Sequence, residues 1–160
     1  MRYRAFLSYS REDDKKAFRL HRELEAYRTP RSLSQFSSTF GPVPPSLRPI
    51  FLDRSDMTGG GKLSNRIAAA LHESETLVVL CSPAAAASPW VNWEVELFAS
   101  LGRADRIFPI VASGLGDTDD VERDYFPPAL RGLGFYAADQ REFKSPNGKL
   151  VGDGHDGGRL

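Results

Sequence analysis

The sequence is short of the residues on which several kinds of protein depend. It has one cysteine, Cys81, in 160 residues, so no disulfide can form within the chain and a reducing, cytoplasmic setting is expected. It has three histidines, none within a cluster of cysteines, histidines and carboxylates at the spacing of a metal site, so no metal site is expected. It has no long hydrophobic run. The most uniformly apolar stretch, Thr76-Leu-Val-Val-Leu-Cys81, is far too short to cross a bilayer, and no signal peptide opens the chain. It has no excess of either charge, with 21 Lys+Arg against 21 Asp+Glu, which argues against a nucleic-acid binder that relies on a basic surface. No G-x-S-x-G elbow appears, which disfavours a serine hydrolase.

What is present alternates. Tyr3–Tyr9 reads as a buried strand, and Phe18, Leu20, Leu24 and Tyr27 mark a helix over 14–28. Thr29–Pro49 holds five prolines and no periodicity, and reads as a long loop. Arg48–Leu52 is a second strand, Leu63 to His72 a helix, and Thr76–Cys81 a third strand. Ser88-Pro89 opens a helix to about Leu101, with serine at the N-cap and proline in the first turn. Ile107–Val111 is a fourth strand, Phe126–Leu130 a helical turn and Leu133–Tyr136 a fifth strand. This alternation predicts an α/β domain with a parallel sheet covered on both faces. Ligands in such sheets sit beyond the carboxyl ends of the strands, which points to the loops 8–12, 53–62 and 82–89. One domain over 1–137 is expected, followed by a polar, glycine-rich tail over 138–160 that leads to a further region.

Two segments could carry chemistry. On the helix after Ser88, the residues Trp90, Trp93, Leu97, Phe98 and Leu101 fall on one apolar face, and Glu94 lies on or beside it. A carboxylate there is costly unless a partner satisfies it or its charge has a use, so Glu94 is either a structural cap or ion-pair member, or a working group. The segment Asp53–Lys62 has three glycines and a lysine. It could approach a phosphate or be a surface turn, and it lacks the P-loop pattern because Asp56 and Leu63 stand at its key positions. Phe51, just before it, reads as core by pattern. Cys81 reads as a packing residue, and Glu12-Asp13-Asp14 falls too late after the first strand for a phosphoacceptor site like that of receiver domains.

Taken together, Ala5-Phe-Leu-Ser-Tyr-Ser10, Ile50-Phe-Leu-Asp53, Leu77-Val-Val-Leu-Cys-Ser-Pro83 and Ser88-Pro-Trp90 with Glu94 resemble a TIR (Toll/interleukin-1 receptor) domain of the bacterial type, over residues 3–137. The resemblance implies a flavodoxin-like three-layer fold with a five-stranded parallel sheet. It also implies NAD+ nucleosidase activity, in which the nicotinamide–ribose bond is cleaved with Glu94, four residues after Trp90, as the catalytic group. NAD+ is then a substrate, and no cofactor is needed. Ser10 and Arg11 would meet phosphate or ribose, Phe51 would lie against a ring of the nucleotide and Trp90 would line the pocket. Asp53 through Lys62 would gate the site and contact a second copy. Trp93 stands where a polar residue is expected. Activation by self-association in bacterial antiphage signalling is the implied setting, without nucleic acid or membrane as partner. The alternative is a non-catalytic module that docks other TIR domains.

Overall fold

The computed structural model describes residues 1–53, 61–112 and 124–135, with the side chains of 61–63 left aside. Its centre is a sheet of four parallel strands: β1 (Tyr3–Ser8), β4 (Ile50–Leu52), β5 (Ser74–Cys81) and β6 (Ile107–Val111), in the order β4-β1-β5-β6. Ala5 pairs with Ile50 on one side and Thr76 on the other, and Leu77 pairs with Ile107, so β1 and β5 are flanked on both edges. Burial on both faces explains why these strands read as nearly continuous apolar runs. The winding runs outward from β1 to β4, then crosses back to β5. The carboxyl ends of β1 and β5 therefore form a switch point.

One face carries α1 (Asp14–Ala26), whose Leu20 and Leu24 pack on Ala5, Leu7 and Ile50. The other carries α2 (Gly61–His72) and α4 (Pro89–Phe98), which close the main core of Phe6, Ile67, Leu71, Leu77, Val79, Val95 and Phe98. Between them the short helix α3 (Pro83–Ala86) follows β5. A last helix, α5 (Pro128–Gly132), buries Leu130 against α4, and the Asn92 Oδ1 accepts the Ala129 N–H at 2.7 Å. No helix among the described residues is long and apolar enough to cross a membrane.

Several elements differ from the sequence expectation. Within the segment expected to be a loop, Ser37–Ser38 (β2) and Gly41–Pro42 (β3) pair as a small antiparallel hairpin, too short to show any alternation. No fifth strand of the parallel sheet occurs among the described residues. Leu133 and Gly134 form a turn after α5, with Gly134 at φ 81°, and Tyr136 lies outside the described residues, as does the tail over 138–160. The helix from Pro89 changes at Ala99 to a wider turn that ends at Gly102, whose φ of 75° suits a residue without a Cβ.

Phe98 joins α4 to the sheet and is fully buried. Truncation to alanine removes a whole ring from a close-packed core, so Phe98→Ala should cost about 3–5 kcal/mol in urea unfolding. A loss below about 1 kcal/mol would show that α4 is not fixed by this contact.

Candidate active site

The three loops picked out from the strand pattern meet at one cavity. Tyr9, Ser10, Arg11 and Glu12 come from the end of β1, Asp53 from the end of β4, Ile67 from α2, and Ser88, Trp90 and Glu94 from the start of α4. The cavity holds about 170 Å³, room for a sugar or a ring. A larger ligand must extend along the loops at its mouth.

Each wall has a local cause. The Ser88 hydroxyl accepts the Val91 N–H at 3.3 Å and Pro89 occupies the first turn, which starts α4 beside the cavity. Beside it, the Ser82 hydroxyl accepts the Ala85 N–H at 3.0 Å and donates to the buried Asp13 carboxylate, tying the β5 loop to the turn after β1. The Tyr9 hydroxyl donates to the Asp53 carbonyl at 2.8 Å, joining the ends of β1 and β4. Burial first, then the negative charge of Asp14, pushes the Tyr9 phenol up to about 12, so it stays a donor.

Glu94 sits at the inner end, only 7% exposed. The Ser8 hydroxyl of β1, itself fully buried, donates to Glu94 Oε2. Burial pushes the carboxyl up to about 8. The Ser8 hydrogen bond and Arg11 favour the charged form, while the charge of Asp53 opposes it. Asp53 is flanked by two cations, Arg66 Nη2 at 3.3 Å and Arg11 Nη2 at 3.8 Å. Trp90 meets Trp93 edge to face, with ring centres 5.3 Å apart.

Of the residues singled out from sequence, Glu94, Ser10, Arg11, Asp53 and Trp90 line this one cavity. Phe51 does not. It packs against Phe6, with ring centres 5.1 Å apart, and Tyr3, as its apolar pattern indicated, and the Arg66 guanidinium lies 6.0 Å from its ring centre. Lys62 falls in the first turn of α2, and its side chain lies outside the described residues, as do residues 54–60 of the same segment. The apolar face read on α4 is also displaced. Val91, Glu94, Val95 and Phe98 are the buried set, while Trp90, Trp93 and Leu97 are partly buried at its edge. Glu96 is exposed on the outer side, where it accepts a hydrogen bond from the Asn92 side chain.

Ser8, Tyr9 and Arg66 were missed. Ser8 had a signal: it follows Phe6 by two on β1 and therefore faces the α4 side, a lone hydroxyl at an inward position. Arg66 had none, because a cation on an amphipathic helix gives no sign of its partner until β4 is placed.

A TIR domain family model matches residues 45–144, more than half of the chain. The chain belongs to the TIR domain family. Among curated proteins it is similar to NAD(+) hydrolase ApTIR of an Actinoplanes species, 36% identical over 145 residues. The match takes in 83% of this chain but only 18% of that protein's length. Among solved structures it is similar to the TIR domains of the activated Roq1 resistosome that recognises the effector XopQ. That likeness has 21% identity and a TM-score of 0.42, over 68% of this chain and 55% of the other.

The raised Glu94 carboxyl carries a stability cost with a definite sign. An unfolded glutamate titrates near 4.5 and the folded one near 8, so the native TIR domain binds the extra proton across that window and loses stability as pH rises through it. The loss has a ceiling of about 3 kcal/mol at pH 7. Glu94→Gln removes the titration, so its melting temperature should gain on wild type progressively between pH 5 and pH 8. A difference that stays constant with pH would show that Glu94 is not held in this way.

Proposed function

We propose that this TIR domain is an NAD+ nucleosidase that cleaves the nicotinamide–ribose bond, with Glu94 as the catalytic group. The observation that carries this reading is the buried Glu94 carboxylate at the inner end of a cavity at the switch point, four residues after Trp90 in the cavity wall. The similarity to a protein named NAD(+) hydrolase supports it.

The chemistry suits the residues. As the bond between ribose C1′ and the pyridinium nitrogen breaks, its electron pair passes to nitrogen and nicotinamide leaves neutral, so no acid is needed at the leaving group. Positive charge develops on the ribose. Glu94 stabilises that charge, holds the ribose hydroxyls and can take the proton that water releases when it adds to C1′ to give ADP-ribose. Ser10 and Arg11 face the phosphates or ribose, and Trp90 walls the ring. Asp53 closes the other side of the cavity, and Lys62, in the first turn of α2, is the further cation assigned to the substrate. We further infer activation by self-association through the 53–62 segment, in a cytoplasmic antiphage pathway, with residues 1–137 as the catalytic unit and 138–160 as its link to further domains.

The test is NAD+ consumption by wild type and Glu94→Ala, each dilute, concentrated and on a clustering surface. Turnover should rise with clustering and fall at least about 10²-fold in the variant. Because the ionised carboxylate is the active form, kcat/KM should rise with pH through a limb near 8. Equal turnover in both proteins would remove Glu94 from the chemistry. No turnover by folded wild type in any state would favour a TIR–TIR docking module.

A further inference from the structure

We propose that Ser8 is a positioning residue for the reaction, orienting the Glu94 side chain and supplying a direct hydrogen bond to its charged form. This rests on the nucleosidase reading above, but its structural half can be tested without it. Ser8 is the last residue of β1, paired in register with Val79 of the central strand β5, so its Cβ is fixed by two strands. It is fully buried, and its hydroxyl points to the α4 side, where it meets Glu94 Oε2. Among the described residues no other hydrogen bond to the Glu94 carboxylate is found. With Oε2 engaged by Ser8, Oε1 is the oxygen available to a ligand in the cavity.

The other charged and titratable groups around Glu94 act less directly. Arg11, from the turn after β1, favours the carboxylate through space and is shared with Asp53. Asp53, at the end of β4, opposes it, and Arg66 of α2 bears on Glu94 by way of Asp53. Tyr9 and Glu12 line the same cavity, and Glu96 on α4 itself points outward. A buried carboxylate without a donor reverts to the neutral acid. A lysine or arginine at position 8 would keep the carboxylate but cancel its charge, and a cationic nicotinamide riboside needs that charge. A serine hydroxyl supports the carboxylate and leaves its net charge intact, which makes a small neutral donor the fitting group here.

The experiment compares wild type, Ser8→Ala and Ser8→Cys by two readouts. The first is the ¹³C titration of the Glu94 side-chain carboxyl by NMR, which needs no turnover. Loss of a hydrogen bond to a charged group should move that titration alkaline by about one pH unit in Ser8→Ala. Ser8→Cys, a weak donor of similar size, should fall between the other two. The second is the pH dependence of kcat/KM for NAD+ in the clustered state. Its limb should move alkaline by the same amount, lowering kcat/KM at pH 7 about tenfold, with activity approaching wild type at high pH. An unchanged Glu94 titration in both variants would overturn the proposal, as would a fall in activity that is equal at every pH. If Ser8→Ala fails to fold, Ser8→Cys alone decides by the same two shifts. If wild type has no turnover, the nucleosidase reading fails while the carboxyl titration still decides whether Ser8 holds Glu94.

Discussion

Keeping a carboxylate out of water is the constraint around which this domain is arranged. Glu94 is buried on a helix that also builds the core, where an unpaired charge would cost several kcal/mol. The structure meets that cost with a neutral donor on β1 and a cation one turn further on, while the nearby Asp53 is held by two arginines. The remaining cost appears as a raised affinity for protons. A group that is uncomfortable as a free anion in the empty cavity gains most when a cation arrives beside it, which is the condition that a charged nicotinamide riboside creates.

The fold supplies the rigidity this requires. Ser8 and Glu94 come from a central strand and a capped helix, elements fixed by Phe6, Val95 and Phe98, so the pair does not depend on loop conformation. The groups suited to contacting the rest of a ligand, Ser10, Arg11 and Asp53, lie at loop starts, still anchored by Tyr9 bridging the ends of β1 and β4. The parallel sheet directs all of these ends to one side, and the crossover between β4 and β5 opens the space between them.

Much of this was legible in the sequence. Strands buried on both faces betray themselves as apolar runs, and Ser88-Pro89 marks a helix start by mechanism, so the sheet and α4 could be placed from residue types alone. That placement pointed to the loops after the strands, while a working Glu94 beside Ser10 and Asp53 followed only from the TIR resemblance, and the cavity now brings the three together. The errors have physical sources. Trp90 and Trp93 drew the apolar face of α4 toward themselves because large rings dominate any periodicity, yet beside a cavity a tryptophan serves as a wall and the smaller Val91 and Val95 fill the core. Phe51 reads as core by pattern and as a ring contact by the resemblance; it packs partly buried on Phe6 and Tyr3 and does not line the cavity. Leu133 and Gly134, at the start of the expected fifth strand, form the turn that follows α5, a segment too short for pattern to separate the two, and Tyr136 lies outside the described residues. Hydrogen bonds between distant segments, such as Ser8 to Glu94, leave only a faint mark: a polar residue where alternation calls for an apolar one.

If the nicotinamide–ribose bond of NAD+ is broken beside Glu94, the dinucleotide must seat its nicotinamide end in this cavity. A crystal structure of the Glu94→Gln variant with NAD+ bound tests it most directly. Nicotinamide riboside is expected in the cavity, walled by Trp90, with the residue 94 carboxamide about 3–3.5 Å from the ribose. NAD+ bound elsewhere, with the cavity empty and residue 94 still packed against Ser8, would contradict it.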